Sequence, residues 1–353
     1  MVWAKTYALS DPFPYQSAIH AATVECLPTS KGQFYGELIQ VRMNKVWMQR
    51  YYVTLPQIHV VANHPGRTVF GFPTEANSPP LEHRGVGVMF GEIALSGVGA
   101  FHQRAPADFR HGTMSLANED FRSAYEALIG RELAERKTRP IIRPSPEPMS
   151  RLLKLHQVVG QLAQDTPDLL SVPELIRAVE QQMIRLMIRC FEDGASADLT
   201  SGGRRHDAIV KRLEEFLAAN PDQPLYLTEI CAGIGVAERT LRAACEEHLG
   251  MGPVRYLTLR RMHLVRRALL AADAAKTNVT RIVTDHGFWE LGRFSGAYRM
   301  RFGESPLETL RRPADQPGLS FNRPSSLTFN EIASALGIKS DARSASERAR
   351  QLG

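Results

Sequence analysis

The sequence predicts an α+β multidomain chain. Residues 1–146 read as a β-rich, barrel- or sandwich-like domain and 147–193 as a helical connector. A flexible linker at 194–206, an all-helical domain at 207–313 and a tail at 314–353 with one short helix complete it. Three observations carry this. Short runs rich in Val, Ile, Phe, Tyr and Trp fill the first part between Pro and Gly turns. Apolar residues at steps of three and four follow. One bihelical unit then occurs twice between 227 and 306.

In the first part, residues 41–55, 58–62, 68–72, 86–90 and 92–95 read as strands, separated by turns such as Asn63-His64-Pro65-Gly66 and Asn77-Ser78-Pro79-Pro80. Short strands at this spacing indicate a barrel or sandwich. Residues 118–135 read as a helix with Phe121, Tyr125, Leu128 and Leu133 on its inner side. His59, His64, His83, His102 and His111 are the metal-ligand or base candidates of this part. There is no H-x-H followed by Glu at metal-binding spacing, no G-x-S-x-G and no phosphate-binding G-x-x-x-x-G-K-[ST]. They therefore read as surface or core histidines, with no metal, cofactor or catalytic residue expected. Trp47, Tyr51, Tyr52 and Phe70 either line a small-molecule pocket or fill the core.

Pro140, Pro144, Pro146 and Pro148 mark an extended linker. Beyond it Leu152, Leu155, Val159 and Leu162, then Leu175, Val179, Met183, Leu186 and Cys190, form the seam of a helix pair, either within the chain or between two chains of a homodimer. Residues 193–206, with Gly194, Gly202 and Gly203, read as a flexible tether, and 207–220 as the first helix of the next domain. In the tail, 328–337 reads as one capped packing helix.

The repeat rests on spacing. Leu241-x3-Cys245-x4-Gly250-x2-Pro253 in the first copy matches Phe294-x3-Tyr298-x4-Gly303-x2-Pro306 in the second. Each copy has the physics of a helix-turn-helix. A short helix carrying Ile230 and Ile234, or Ile282, reverses at Gly235 or Gly287, where glycine accepts a backbone that a side chain resists. A second helix docks through residues four apart and leaves its other faces free for a major groove. Residues 254–271 form a rod between the copies, with Leu257, Leu264, Val265, Ala268 and Leu269 inside and Arg255, Arg260, Arg261, Arg266 and Arg267 outside.

These residues resemble the DNA-binding domain of AraC/XylS-type bacterial transcription regulators. The likeness lies in Glu229-Ile230-x3-Ile234-Gly235-Val236, Arg261-Met262-x2-Val265-Arg266-x2-Leu269 and, above all, Gly287-Phe288-x5-Phe294-x3-Tyr298-x4-Gly303-x-Ser305-Pro306. It covers roughly 207–312. The chain departs from the pattern at Cys231 and Val283, where the family has Ala, at Ala237, where it has a capping Ser, and at Cys245, where it has Phe. Losing the Ser cap costs about 1 kcal/mol of helix stability. The resemblance implies a regulator, more often an activator, with a β-barrel-like N-terminal part that binds an effector or dimerises, and with double-stranded DNA and RNA polymerase as partners. Family base contacts fall on Arg239, Arg242 and Ala243 in the first copy and near Gly292 and Gly296 in the second.

Charge agrees with this division. Residues 204–313 carry 18 Lys+Arg against 13 Asp+Glu, and 16 of the 18 are Arg, whereas 1–203 balances at 20 each. Arginine suits bidentate contacts to phosphate and guanine. The expected DNA-binding residues are Arg239, Thr240, Arg242 and Ala243 in the first copy, and Leu291, Arg293, Ser295 and Arg299 in the second. Trp289 is a further candidate for a thymine methyl. Because glycine offers no side chain at 292 and 296, the first copy is expected to discriminate bases and the second to anchor. No run approaches the roughly 20 apolar residues of a membrane span, Met1–Thr6 lacks the apolar core of a signal peptide, and the four cysteines show no C-x-x-C spacing, so the expected location is cytoplasmic. The competing expectations are a β-barrel enzyme with a helical accessory domain and an effector-independent architectural DNA binder.

Overall fold

In the chain's computed structural model, residues 2–19, 22–96, 100–133, 141–197, 200–220, 225–312 and 335 are described. Chain order runs β1 (Trp3–Leu9), α1 (Pro12–Ala18), β2 (Ala22–Pro28), β3 (Gly36–Arg42), β4 (Trp47–Val53), β5 (Gln57–Asn63), β6 (Arg67–Pro73), β7 (Leu81–His83), β8 (Val86–Val88), β9 (Ile93–Ser96), β10 (Ala100–Ala105) and β11 (Phe109–Ala117). It continues with α2 (Asn118–Ile129), β12 (Ile141–Arg143), α3 (Pro146–Asp165), α4 (Pro173–Glu192) and β13 (Ala195–Ala197). The helical part holds α5 (Ser201–Ala219), α6 (Leu227–Ile234), α7 (Glu238–Leu249), α8 (Pro253–Ala271), α9 (Val279–Asp285), α10 (Leu291–Phe302) and α11 (Pro306–Leu310).

The strands pair antiparallel into two sheets, ordered β1-β3-β4-β11-β6-β9-β12-β13 and β2-β5-β10-β7-β8. Both orders are open, so among the described residues the domain is a sandwich and not a closed barrel. Between the sheets lie Leu9, Tyr15, Phe34, Leu38, Val53, Leu81 and Phe109. The outer face of the large sheet, with Ile39, Val41, Met48, Phe70, Phe72, Met114 and Leu116, is covered by α2, α3 and α4. There the 3-4 seam is consumed: Leu152, Leu155, Val159, Leu162, Val179, Met183, Leu186 and Cys190 are all buried against the chain's own sheet. Those residues are not a free surface for a second chain.

Several boundaries differ from the sequence reading. The run 41–55 is the end of one strand, a turn at Asn44-Lys45 and a second strand; 3–9, 22–28, 100–105 and 109–117 are strands that the reading did not assign. The helix expected over 118–135 ends at Ile129, where Gly130 takes a left-handed conformation (φ 76°), and Leu128 is exposed. Within the proline-rich linker, Ile141–Arg143 joins the large sheet, and Pro146 starts α3, where its missing N–H costs nothing. Within the expected tether, Ala195–Ala197 pairs with β12 and α5 begins at Ser201, capped by the Thr200 hydroxyl, which accepts from Gly203 N–H at 3.0 Å. Most of the tail, and the helix expected there, lies outside the described residues; Ala335 is helical and buried.

The helical part has two cores, one per bihelical unit, and α8 threads both. Its Tyr256, Leu257 and Leu259 join Ile209, Leu213, Ile230, Ile234, Leu241 and Cys245. Its Met262, Val265 and Leu269 join Ile282, Val283, Phe294, Tyr298 and Leu310. Both units turn on left-handed glycines, Gly235 (φ 64°) and Gly287 (φ 78°), as the repeat predicts. No helix among the described residues is long and apolar enough to cross a membrane.

Candidate nucleic-acid interface and the cavity behind it

Each unit exposes the N-terminal half of its second helix. In α7, Leu241 and Cys245 are fully buried, while Arg239, Arg242 and Ala243 are exposed and Thr240 is half-buried. The helix starts at Ala237 without a side-chain cap, as the missing Ser implies, and Arg242 pairs with Glu238 one turn back at 3.0 Å. In α10, Phe294 and Tyr298 face the core; Arg293 and Arg299 are exposed, and Leu291 and Ser295 are half-buried. Arg293 reaches Glu290 at 2.8 Å. Leu291 packs partly against the unit's core, which limits what it can offer outward. Gly292 and Gly296 are exposed, and a Cβ added to either would meet nothing within 4 Å, so packing does not demand glycine there. Trp289, just before α10, is 71% exposed.

The C-terminal ends of the same helices dock on the sandwich. His248 of α7 lies 2.9 Å from His102 of β10, and at the end of α10 Lys31 Nζ contacts Met300 Sδ at 3.1 Å while Arg301 donates to Ser30 O at 3.4 Å. Leu27 and Ile58 of the small sheet enter the core of the first unit. The arginines of α8, expected outside, are in part consumed here. Arg266 is 6% exposed and binds Asp11 at 2.5 Å and Glu304 at 2.7 Å; Arg260 pairs with Glu25 at 3.3 Å. Arg261 lies over the Phe288 ring, and only Arg255 and Arg267 of the five are fully exposed. Of the residues expected inside, Leu257, Val265, Ala268 and Leu269 pack into the helical cores, whereas Leu264 is buried on the side of α8 that faces α1 and β2.

Behind the small sheet, between the two sheets, is a cavity of about 70 Å³. Strand alternation builds it: residues 22 and 24 of β2, 49, 51 and 53 of β4, 59, 61 and 63 of β5, 69 and 71 of β6, 94 and 96 of β9, 101 and 103 of β10 and 109, 111 and 113 of β11 all point inward. His59 Nε2, Asn63 Nδ2 and His111 Nε2 are buried there without a hydrogen-bond partner among the described residues. Burial pushes His59 down to about 4 and His111 down to about 3, so both rings are neutral at physiological pH. Of the four aromatic candidates only Tyr51 lines the cavity. Phe70 is core, Trp47 lies under Arg42 and Arg67, and Tyr52 pairs outside with Asp108 and Arg110.

The intervening residues of the small-sheet strands face the helical part. On β10, Phe101 and Gln103 line the cavity while His102 meets α7; on β2, Val24 lines it while Glu25 and Leu27 meet α8 and the first core; on β5, His59 and Val61 line it while Ile58 meets that core.

Comparison with known proteins matches residues 230–312 to a family described as a helix-turn-helix domain. The chain is 40% identical over 103 residues to the probable thc operon regulatory protein of Rhodococcus erythropolis, covering 29% of this chain and 31% of that one. It is 33% identical over 102 residues to XylDLEGF operon transcriptional activator 3 of Pseudomonas putida, again 29% and 31%. The match thus spans about a third of these relatives' length. Among solved structures, the AraC-like transcriptional activator CuxR aligns over 74% of this chain and 95% of its own at 12% identity (TM-score 0.38), and ToxT from Vibrio cholerae O395 over 88% and 96% at 10% identity (TM-score 0.30).

Proposed function

We propose, from a chain whose residues 230–312 are a helix-turn-helix domain of the AraC/XylS family, that the protein is a sequence-specific DNA-binding transcription regulator governed by a small molecule. Arg239, Thr240, Arg242 and Ala243 read base edges, with the two arginines suited to bidentate contacts with guanine. Arg293, Ser295 and Arg299 hold phosphates, and Trp289 supplies an apolar contact. Activation through RNA polymerase is part of this reading, in keeping with the activator named above.

One observation carries the regulatory part: the small sheet has the cavity on one face and the helical reader on the other, within the same three strands. A ligand that reorders His59, Val61, Phe101 or Gln103 moves the backbone on which Ile58, His102 and Leu27 hold the reader. It shifts the docked arrangement only by its differential affinity for the two states. Neutral histidines, two tyrosines and apolar walls favour an uncharged or weakly polar ligand with a few hydrogen-bonding groups.

The test is thermal melting of the full chain against a library of neutral metabolites, repeated with Ala94→Leu, which fills the cavity. A ligand that raises the wild-type Tm, loses its effect in Ala94→Leu and changes operator affinity supports the reading. Hits that stabilise both proteins equally would assign the binding elsewhere.

A further inference from the structure

Where β10 meets α5 and α7, side chains from both domains converge whose chemistry DNA reading does not use. His102 projects from the outer face of β10, and its Nε2 lies 2.9 Å from Nδ1 of His248 in the last turn of α7; both residues are 1% exposed. Asp207 of α5 is buried beside them, and one ligand atom from each of the three falls within 4.8 Å of the others. The turn between β7 and β8 closes the site: a Cβ on Gly85 would sit 2.8 Å from the His248 ring.

The chemistry of this donor set is that of a transition-metal site. Burial keeps both imidazoles neutral, with His102 held down at about 3 and His248 below its usual value, and neutral imidazole is the ligating form. Two neutral rings bonded to one another satisfy one nitrogen each. His248 Nδ1 is the atom that faces His102, and its Nε2, buried without a hydrogen-bond partner among the described residues, lies 3.7 Å from Glu247. The Arg84 guanidinium grips both oxygens of Asp207, which orients the carboxylate and leaves it further lone pairs. Such an outer partner is what ligating carboxylates carry. Two nitrogens and one oxygen suit Zn²⁺, Ni²⁺ or Co²⁺; Ca²⁺ and Mg²⁺ want oxygen alone. The charges facing the site are Arg84 against Asp207 and, beyond the His248 ring, Glu247 at 3.7 Å, itself 2.5 Å from His206.

We propose that His102, Asp207 and His248 bind one divalent transition-metal ion, which bridges the sandwich to the reader. Since one ligand comes from the sandwich and two from the reader, only the docked arrangement offers all three. At free metal about a hundred times its Kd, the docked state gains about a hundred-fold in population. The proposal stands independently of the DNA-reading assignment.

The test uses the full chain, stripped of metal by chelator and titrated with Co²⁺ alone. One equivalent is expected to bind with the visible spectrum of a low-coordinate nitrogen and oxygen site, and Zn²⁺ should displace it. His102→Gln and Asp207→Asn should each weaken binding at least about ten-fold, and His206→Gln should leave it unchanged. X-ray absorption on the wild-type protein, which needs no variant to fold, should count two imidazoles on the ion. The proposal is overturned by failure to bind stoichiometrically, by thiolate charge transfer, which would place the ion on a cysteine, or by fewer than two imidazoles. Loss in His206→Gln with His102→Gln unaffected would equally overturn it, by moving the ion to the group formed by His206, Glu247 and His248.

Discussion

Arg266 in α8 and Asp11 at the N-cap of α1 meet at 2.5 Å, both buried, although 255 residues separate them in the chain. Asp11 also accepts from Phe13 N–H at 2.9 Å, and Arg266 also holds Glu304 at 2.7 Å. The pair therefore ties the first helix of the sandwich, the rod of the reader and the turn before α11 into one network.

Breaking a buried pair from one side costs about 3–5 kcal/mol when the charge is left alone, and here the upper bound is softened by Arg312, 3.9 Å from Asp11 and 3.3 Å from Glu304. Arg266→Met is expected to lower the stability of the full chain by about that much and to expose the domain boundary to limited proteolysis. Thermal unfolding with unchanged Tm and an unchanged digestion pattern would mean that the pair does not hold the domains together.

The two recognition helices should fail differently. Arg239→Ala is expected to cost about 1–3 kcal/mol at the preferred operator and to relax preference at one position. Arg299→Ala should weaken all duplexes alike and lower the salt slope by about one. Titrations over variant duplexes at several salt concentrations separate these outcomes; identical behaviour of the two variants contradicts the division of labour.

Gly296 offers a test of why α10 is bare. Its surroundings have room for a side chain, so Gly296→Ala should stabilise the helix by up to about 1 kcal/mol. If the bare surface exists for close approach to DNA, the same substitution weakens operator binding. Higher Tm with unchanged DNA affinity would remove α10's glycine face from the interface.

Glu214 gives a pH signature. Burial raises its carboxyl to about 7, opposed by the hydrogen bond that Tyr256 donates at 2.7 Å and by Arg260, and reinforced by Glu25. Because the folded value is raised, the folded state binds more protons than the unfolded one between about 4.5 and 7. The stability it contributes is full below about 4.5 and is lost as pH rises through about 7. Glu214→Gln keeps an acceptor for Tyr256 and removes the charge, so it should stabilise the protein by about 1–3 kcal/mol at pH 8 and little at pH 4.5. Denaturant melts at the two pH values check this; equal effects at both would show that Glu214 titrates normally.

Local features were readable from the sequence. Spacings of four and the glycines at 235 and 287 specify both bihelical units, since burying one helix stripe and turning sharply are short-range demands. Alternation along β5 and β10 was present too, but deciding which alternate faces a cavity and which faces a domain needs the strand order, set by pairings as distant as Gln57 with Ala105. His102 shows the limit: in sequence it is one histidine among eleven, and its partners Asp207 and His248 lie more than a hundred residues on. The expected tether failed for a local reason, as Thr200 caps a helix whose first turn tolerates Ser201-Gly202-Gly203.

Joint reading of DNA by the exposed halves of α7 and α10 is decided by selecting duplexes from a randomised pool with the full chain. Enrichment of one sequence with two blocks about one helical turn apart, the block assigned to α7 losing definition in Arg239→Ala, is the predicted result. A pool that stays random, or a motif that Arg239→Ala leaves untouched, would contradict it.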